Sequence, residues 1–283
     1  MKQLLAILLL SLIHHLAYSQ GGSITAGYGL MNYSGDLQPS FLTTKLSREA
    51  FHLSLKFDLP NNLSGRGGLT IGEVYANDIY NSSPNKERNL NFTSKIEELQ
   101  LGLEYHFTQT QFSPYIFGGL AGFHFNPFTH DSANAFVSLR LFSTEGQGLP
   151  EYPDRKMYSL IQLAIPFGFG FDFRVAKSFS IGAEFIERKL FTDYLDDVST
   201  GYVDYSTLLN AKGRNAVLLS YRGFEQYDAT HNITLPRGNP KHKDWYYTAM
   251  LTVTYHFNEG SKRIKDYSRG NKSRVLSCPR NVF

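Results

Sequence analysis

Cysteine is almost missing. Cys278 is the only one in 283 residues, so no internal disulfide can form and multi-cysteine zinc sites are excluded. Charge is sparse as well: Asp, Glu, Lys and Arg make up 19% of the chain, below the roughly 25% of ordinary soluble domains. Past residue 20 no apolar run approaches the roughly 20 residues that a membrane helix needs. The sequence holds no Gly-x-Ser-x-Gly elbow, and His52, His106, His124, His130, His231, His242 and His256 include no His-x-x-x-His pair. No enzyme is visible in these motifs, and no cofactor is implied by them.

What the chain has in quantity is aromatic residues and glycine: 22 Phe, 18 Tyr and 24 Gly. The N-terminus reads as an export signal over 1–19. Lys2 is its positive start, Leu4 to Leu16 is mostly apolar, and Ala17-Tyr18-Ser19 supplies small residues at −3 and −1, which would leave Gln20 first. The net charge of +3 is unevenly spread. The tail 259–283 has seven basic residues (Lys262, Arg263, Lys265, Arg269, Lys272, Arg274, Arg280) against Glu259 and Asp266, which leaves 21–258 mildly acidic. Such a body gives no reason to expect nucleic acid as a partner, and no small-molecule substrate is evident. The polar, basic tail reads as a disordered periplasmic extension or as a docking segment for an acidic partner.

The body shows alternation of period two. Phe51, Leu53, Leu55, Phe57 and Leu59 are separated by single polar residues, as are Leu99, Leu101, Leu103, Tyr105 and Phe107. The same pattern runs from Ile161 to Phe173 and from Tyr247 to Phe257. Fainter strands occupy 23–33, 63–75 and 114–125, all glycine-rich, and 179–190, which carries Phe179, Ile181, Ala183 and Phe185 in phase, making eight. The connections between them (34–49, 60–62, 76–93, 108–113, 126–157, 175–178, 191–243) alternate long and short without exception. All long loops therefore fall at one end, which predicts an all-β, eight-stranded antiparallel transmembrane β-barrel over 20–258, with short periplasmic turns and both termini in the periplasm. A soluble lipocalin-like barrel is the competing reading; its apolar face would point inward.

On the membrane reading Glu98, Glu104, Asp172, Glu184 and Arg188 face a lumen that side chains fill, leaving no open pore. His106 and His256 face the lumen near its periplasmic end, whereas Glu73 and Glu187 fall on the outward parity. Aromatic girdles are expected at Tyr105, Phe107, Tyr255 and Phe257 on the periplasmic rim, and at Tyr158 and Trp245 to Tyr247 on the outer rim. Asp193, Asp196 and Asp197 could bind Ca²⁺, but their spacing is not that of an EF-hand and a solvated or self-capping loop is the plainer reading. Thr144-Glu-Gly-Gln-Gly148 reads as a turn-rich loop, since the lysine and helix of a phosphate site are not there.

Several stretches resemble a family of Bacteroidetes outer-membrane barrels that includes PorG, a component of the type IX secretion and gliding machinery. They are Asn32 to Asp36 (with Gly35 and Asp36), Phe142 to Gly148 (with Glu145, Gly146, Gln147 and Gly148), and Ile165 to Gly170. The most specific is Phe191 to Thr200, with Asp193, Tyr194, Asp196 and Asp197, followed by Gly238 to Lys241 (Asn239, Pro240) and Asp244-Trp245-Tyr246. The resemblance implies an eight-stranded barrel and a non-enzymatic role, with outer-membrane lipid and periplasmic secretion-ring proteins as partners. The simplest members end at an aromatic-terminated strand, so the basic tail leaves two candidate assembly signals here, Phe257 and Phe283. Two other readings are a stand-alone barrel whose long loops bind external ligands, and a rim-site hydrolase using Asp196 or Asp197.

Overall fold

The computed structural model describes residues 21–38, 40, 43–81, 85–223, 227–228 and 236–257. The expected signal segment 1–19, His231, Cys278 and the tail 259–283 with Phe283 lie outside the described residues. Nine strands form one antiparallel sheet: β1 (Gly22–Ser34), β2 (Arg48–Asp58), β3 (Leu63–Asn77), β4 (Asn91–His106), β5 (Phe112–His130), β6 (Phe136–Ser138), β7 (Ile161–Ala176), β8 (Phe179–Leu190) and β9 (Trp245–Phe257). All but β6 belong to a closed eight-stranded barrel. The first and last strands close it, pairing from Gly22 opposite Phe257 to Ser34 opposite Trp245.

The ninth strand was not foreseen, and backbone pairing explains it. β7 begins at Ile161 opposite His124, so β5 would run on to His130 with one edge bare. β6 covers that edge, with Phe128 opposite Ser138 and His130 opposite Phe136. The short turns lie together at the other end. In the one between β2 and β3, Asn61 and Asn62 both adopt positive φ (63° and 62°), the twist that suits a hairpin turn.

Alternation places the apolar side chains outside. Leu101, Leu120, Ile161 and Leu251 are 65–74% exposed, and Phe51, Ile71, Leu99, Leu163 and Phe169 share the same belt. The opposite parity is buried and polar: Thr25, Ser54, Arg66, Thr70, Glu98, Gln100, Glu184, Thr252 and Thr254. Water would not tolerate so large a bare apolar surface, whereas lipid requires it, so the soluble-barrel reading fails. No helix among the described residues is long and apolar enough to cross a membrane; the strands cross it. Glu73, on the outward parity, lies 3.5 Å from the Arg48 guanidinium. Glu187 is covered on that same face, opposite Phe167 and Tyr247.

Two layers of charge fill the bore. In the lower one Arg66 bonds both oxygens of Glu184 (2.8 and 3.0 Å) and reaches Glu104 at 3.0 Å, and Lys56 lies 2.9 Å from the other Glu104 oxygen. In the upper one Arg188 holds both oxygens of Glu98 at 3.1 Å, and the Tyr246 hydroxyl donates to the same carboxylate at 2.5 Å. Below both layers a cavity of about 490 Å³ opens at the turn end, lined by His106, Asp172 and His256 among others. His106 bonds Ser113 and His256 bonds Ser180, as lumen residues.

The girdle expectation holds at the turn end, where Tyr105, Phe107, Tyr255 and Phe257 are outward and exposed. It fails for two residues at the other end: Tyr158 and Tyr246 are buried inside the fold, while Trp245 stays on the wall against Phe167. Tyr247 is outward by parity but covered, its hydroxyl donating to the Thr43 carbonyl. Leu251→Arg, in the middle of the belt, is expected to lower folding stability in lipid vesicles by about 2–4 kcal/mol. Urea titration of barrel folding measures it, and the same substitution at Phe107, near the rim, should cost much less.

Candidate functional site at the long-loop end

The described parts of the four long connections pack into one cap that carries the short helical turn α1 (Asn85–Arg88) and two helices, α2 (Tyr205–Lys212) and α3 (Arg214–Ser220). Asp204 caps α2 by accepting from the Thr207 amide at 2.8 Å. Gly213, at φ 82°, separates α2 from α3. Apolar packing continues from the barrel into the cap through Tyr33, Phe92, Phe123, Phe125, Leu195 and Val198. A smaller cluster of Leu149, Val203, Leu208, Ala216 and Val217 lies beneath the helices.

The motif residues meet beneath this cap. Tyr33, from the end of β1, places its hydroxyl 2.6 Å from Asp196 Oδ2 and 3.0 Å from Asp244 Oδ1. The second oxygen of each carboxylate accepts a backbone amide at 2.9 Å, Val198 for Asp196 and Leu195 for Asp244. Gly35 lies against the pair; a Cβ there would come within 2.2 Å of both the Tyr33 hydroxyl and Asp244 Oδ1, which accounts for a residue without a side chain. Asp36 accepts from the Asn239 amide at 2.9 Å, tying the first long loop to the last. Arg88 clamps Asp78 through two bonds (2.7 and 2.8 Å), donates to the Asp36 carbonyl at 2.9 Å and also donates to the Arg237 carbonyl.

A second knot sits beside the first. Glu145 accepts from the amides of Ser199 and Thr200 (2.9 Å each), from the Thr200 hydroxyl (2.7 Å) and from Arg237 (3.1 Å). Asp197 accepts from the Tyr158 hydroxyl at 2.7 Å and from Thr144, with an Arg237 nitrogen 3.8 Å away. Gln147 turns back to accept from the Glu145 amide at 3.0 Å. Gly146 and Gly148 both take φ 76°, and Asp197 takes φ 65°. Asp193 accepts from the Ser199 hydroxyl at 2.7 Å, and Tyr194 stacks on Tyr158 with ring centres 4.9 Å apart. Asn239 and Pro240 are exposed, and Lys243 donates to the Pro240 carbonyl at 3.0 Å.

The expected solvated loop at Asp193, Asp196 and Asp197 is therefore a buried one. The self-capping part of that reading is seen at Asp196, which accepts from Val198 two residues on. Burial pushes the Asp193 carboxyl up to about 6, and does the same to Asp197 against the opposing pull of Arg237. Asp196 and Asp244 are driven well above the ordinary carboxylate range, first by burial and then by neighbouring carboxylates. The three aspartates turn to different partners, and among the described residues no three His, Cys, Asp or Glu side chains gather to hold a metal ion. Their chemistry, as arranged, is to bind loop to loop. Arg88 and Arg237, which organise both knots, gave no sequence signal, because each stands alone in a non-periodic stretch.

A family model described as a domain of unknown function, DUF6089, matches residues 2–212. The chain belongs to the DUF6089 family. The match takes in the barrel as far as β8, the Asn32–Asp36 and Phe142–Gly148 motifs, and the acidic segment of the last loop. No curated protein matches the chain. Among solved structures, this DUF6089 protein is similar to Ail, the attachment invasion locus protein of Yersinia pestis, at 13% identity and TM-score 0.41, covering 84% of this chain and 99% of that one. It is likewise similar to Neisserial surface protein A (10% identity, TM-score 0.42, 83% and 96%). A major outer membrane protein from Thermus thermophilus gives 12% identity and TM-score 0.42, with 85% and 100% covered.

Replacing Arg237 by Ala would leave Glu145 and Asp197 buried without their cation. Cap stability should fall by about 3–5 kcal/mol, read as lost hydrogen-exchange protection at Ser199 and Thr200, while the barrel strands keep theirs.

Proposed function

We propose that this protein is a non-enzymatic barrel of the outer membrane, exported by its N-terminal signal, that serves as a fixed anchor in an envelope assembly of the type IX secretion and gliding kind. The observation that carries the anchoring role is closure. Two ion-paired layers fill the bore, and the cap folds over its outer end. Among the described residues such an arrangement leaves no open path for solute, and it presents two ends at which other proteins could dock.

Gly22 and Phe257, the outermost residues of β1 and β9, lie side by side at the turn end, and the basic segment 259–283 follows Phe257 in the sequence. On this reading that end is periplasmic, and the tail supplies contacts to acidic surfaces of periplasmic ring proteins. The secretion assignment leans on the family resemblance of the Asn32–Asp36 and Phe191–Thr200 motifs. Asp196 and Asp197, the carboxylates that a rim-site hydrolase would use, are buried and engaged, which argues against that chemistry.

A second reading is favoured by the cap itself. With its own apolar cluster and two helices it is a preformed platform, suited to binding external ligands or surfaces by a stand-alone barrel. Affinity capture of the tagged protein from gently solubilised outer membranes, with and without residues 259–283, separates the two. Periplasmic ring proteins should co-purify with the full chain and be lost on truncation; recovery of the barrel alone would move the assignment to the platform reading. Liposomes carrying the purified barrel should show no solute-driven swelling above protein-free controls.

A further inference from the structure

The cap holds two buried carboxylates around one hydroxyl. Asp196 and Asp244 are each at most 1% exposed, and both reach Tyr33. A phenol has one proton to give, and an ionised carboxylate has none. Each carboxylate already spends its other oxygen on a backbone amide, so both face Tyr33 with the remaining one. If both were ionised, one of the two contacts would bring bare oxygens together among fully buried side chains.

We infer that Asp196 and Asp244 hold a single proton between them through Tyr33, and that this proton latches the last long loop onto the end of β1 over the barrel. The proton resides on Asp244. Its Oδ1–H donates to the Tyr33 oxygen, and the Tyr33 O–H donates to ionised Asp196. The distances fit that direction: 2.6 Å is the length of a hydroxyl bond to a charged oxygen, and 3.0 Å that of a weaker neutral one. The charges around Asp244 fit it too, since Asp196 and then Asp193 oppose charge there. Around Asp196 the charges pull both ways: the Asp36 carboxylate of the first loop opposes its charge, and Arg88 of the second loop favours it more weakly. Among the described residues no cation bonds either carboxylate directly: Arg88 is spent on Asp78 and two carbonyls, and Arg237 on Glu145, Asp197 and backbone carbonyls.

The sense of the latch follows from linkage. The folded state binds this proton more tightly than the unfolded chain does, so its contribution is complete in acid and is lost as pH rises through the raised folded value. Alkali opens the loops; acid closes them. Gly35 is part of the device, because any side chain there would separate Tyr33 from Asp244.

The test uses the full chain in detergent, in D₂O at about pH 8, where carboxyls titrating near 6, such as Asp193 and Asp197, are ionised. Infrared spectra should show a protonated-carboxyl stretch that Asp244→Asn abolishes. Amide exchange at Leu195 and Val198, corrected for intrinsic rates, should lose protection by about tenfold per pH unit once the wild-type pair begins to deprotonate. In Asp244→Asn, whose amide can mimic the protonated acid, protection should be retained and independent of pH. Asp196→Asn, which moves the charge onto Asp244 and away from Arg88, should lower protection throughout. A wild type without the stretch, or with the same pH response as Asp244→Asn, would sink the proposal. So would a gain in protection on adding Ca²⁺, since a cation and not a proton would then be neutralising the pair.

Discussion

A bilayer contains no water to satisfy a bare amide, and this single condition shapes the whole molecule. It forces β1 against β9, so that the sheet has no edge within the lipid. It turns Leu101 and Leu251 outward and sends Arg66, Glu98, Glu104 and Glu184 into the bore. Once there, the charges must find each other, because an isolated buried ion is far more expensive than a paired one. The Arg66–Glu184 and Arg188–Glu98 pairs are thus consequences of closure as much as reinforcements of it.

The same reasoning extends above the membrane, with a different outcome. The long-loop end could have remained solvated, yet Glu145, Asp196, Asp197, Arg237 and Asp244 are all buried there. Carboxylates that leave water need donors, and here the donors are backbone amides of the adjoining turns, tyrosine and threonine hydroxyls, and arginine. Several of these bonds join one stretch of loop to another, as from Thr200 to Glu145 and from Tyr158 to Asp197. The described part of the cap is therefore held together by these carboxylate bonds together with its two apolar clusters.

Most of the barrel could be read from the chain because a strand reports its environment locally. Leu99, Leu101 and Leu103 alternate with Glu98, Gln100 and Glu104 whatever their partners are, and the Asn61-Asn62 turn is a local preference too. The lumen roles of Glu98, Glu104, Asp172, Glu184 and Arg188 followed from parity alone. Tyr158 and Tyr246 went astray because parity does not distinguish a girdle from a capped bore. The strand β6 was missed because three residues cannot display a period.

Sequence alone determined the eight-strand count, the outward apolar belt and the grouping of long loops at one end, since each depends on neighbours a few residues apart. Only the tertiary structure decided the fate of the aspartates. Tyr33 meets Asp244 across 211 positions, and Asp196 across 163. Nothing within a few residues of Asp193, Asp196 or Asp197 says whether water or another loop will lie over them. That depends on where the barrel wall sets the loop ends, and loops with no period carry no record of it.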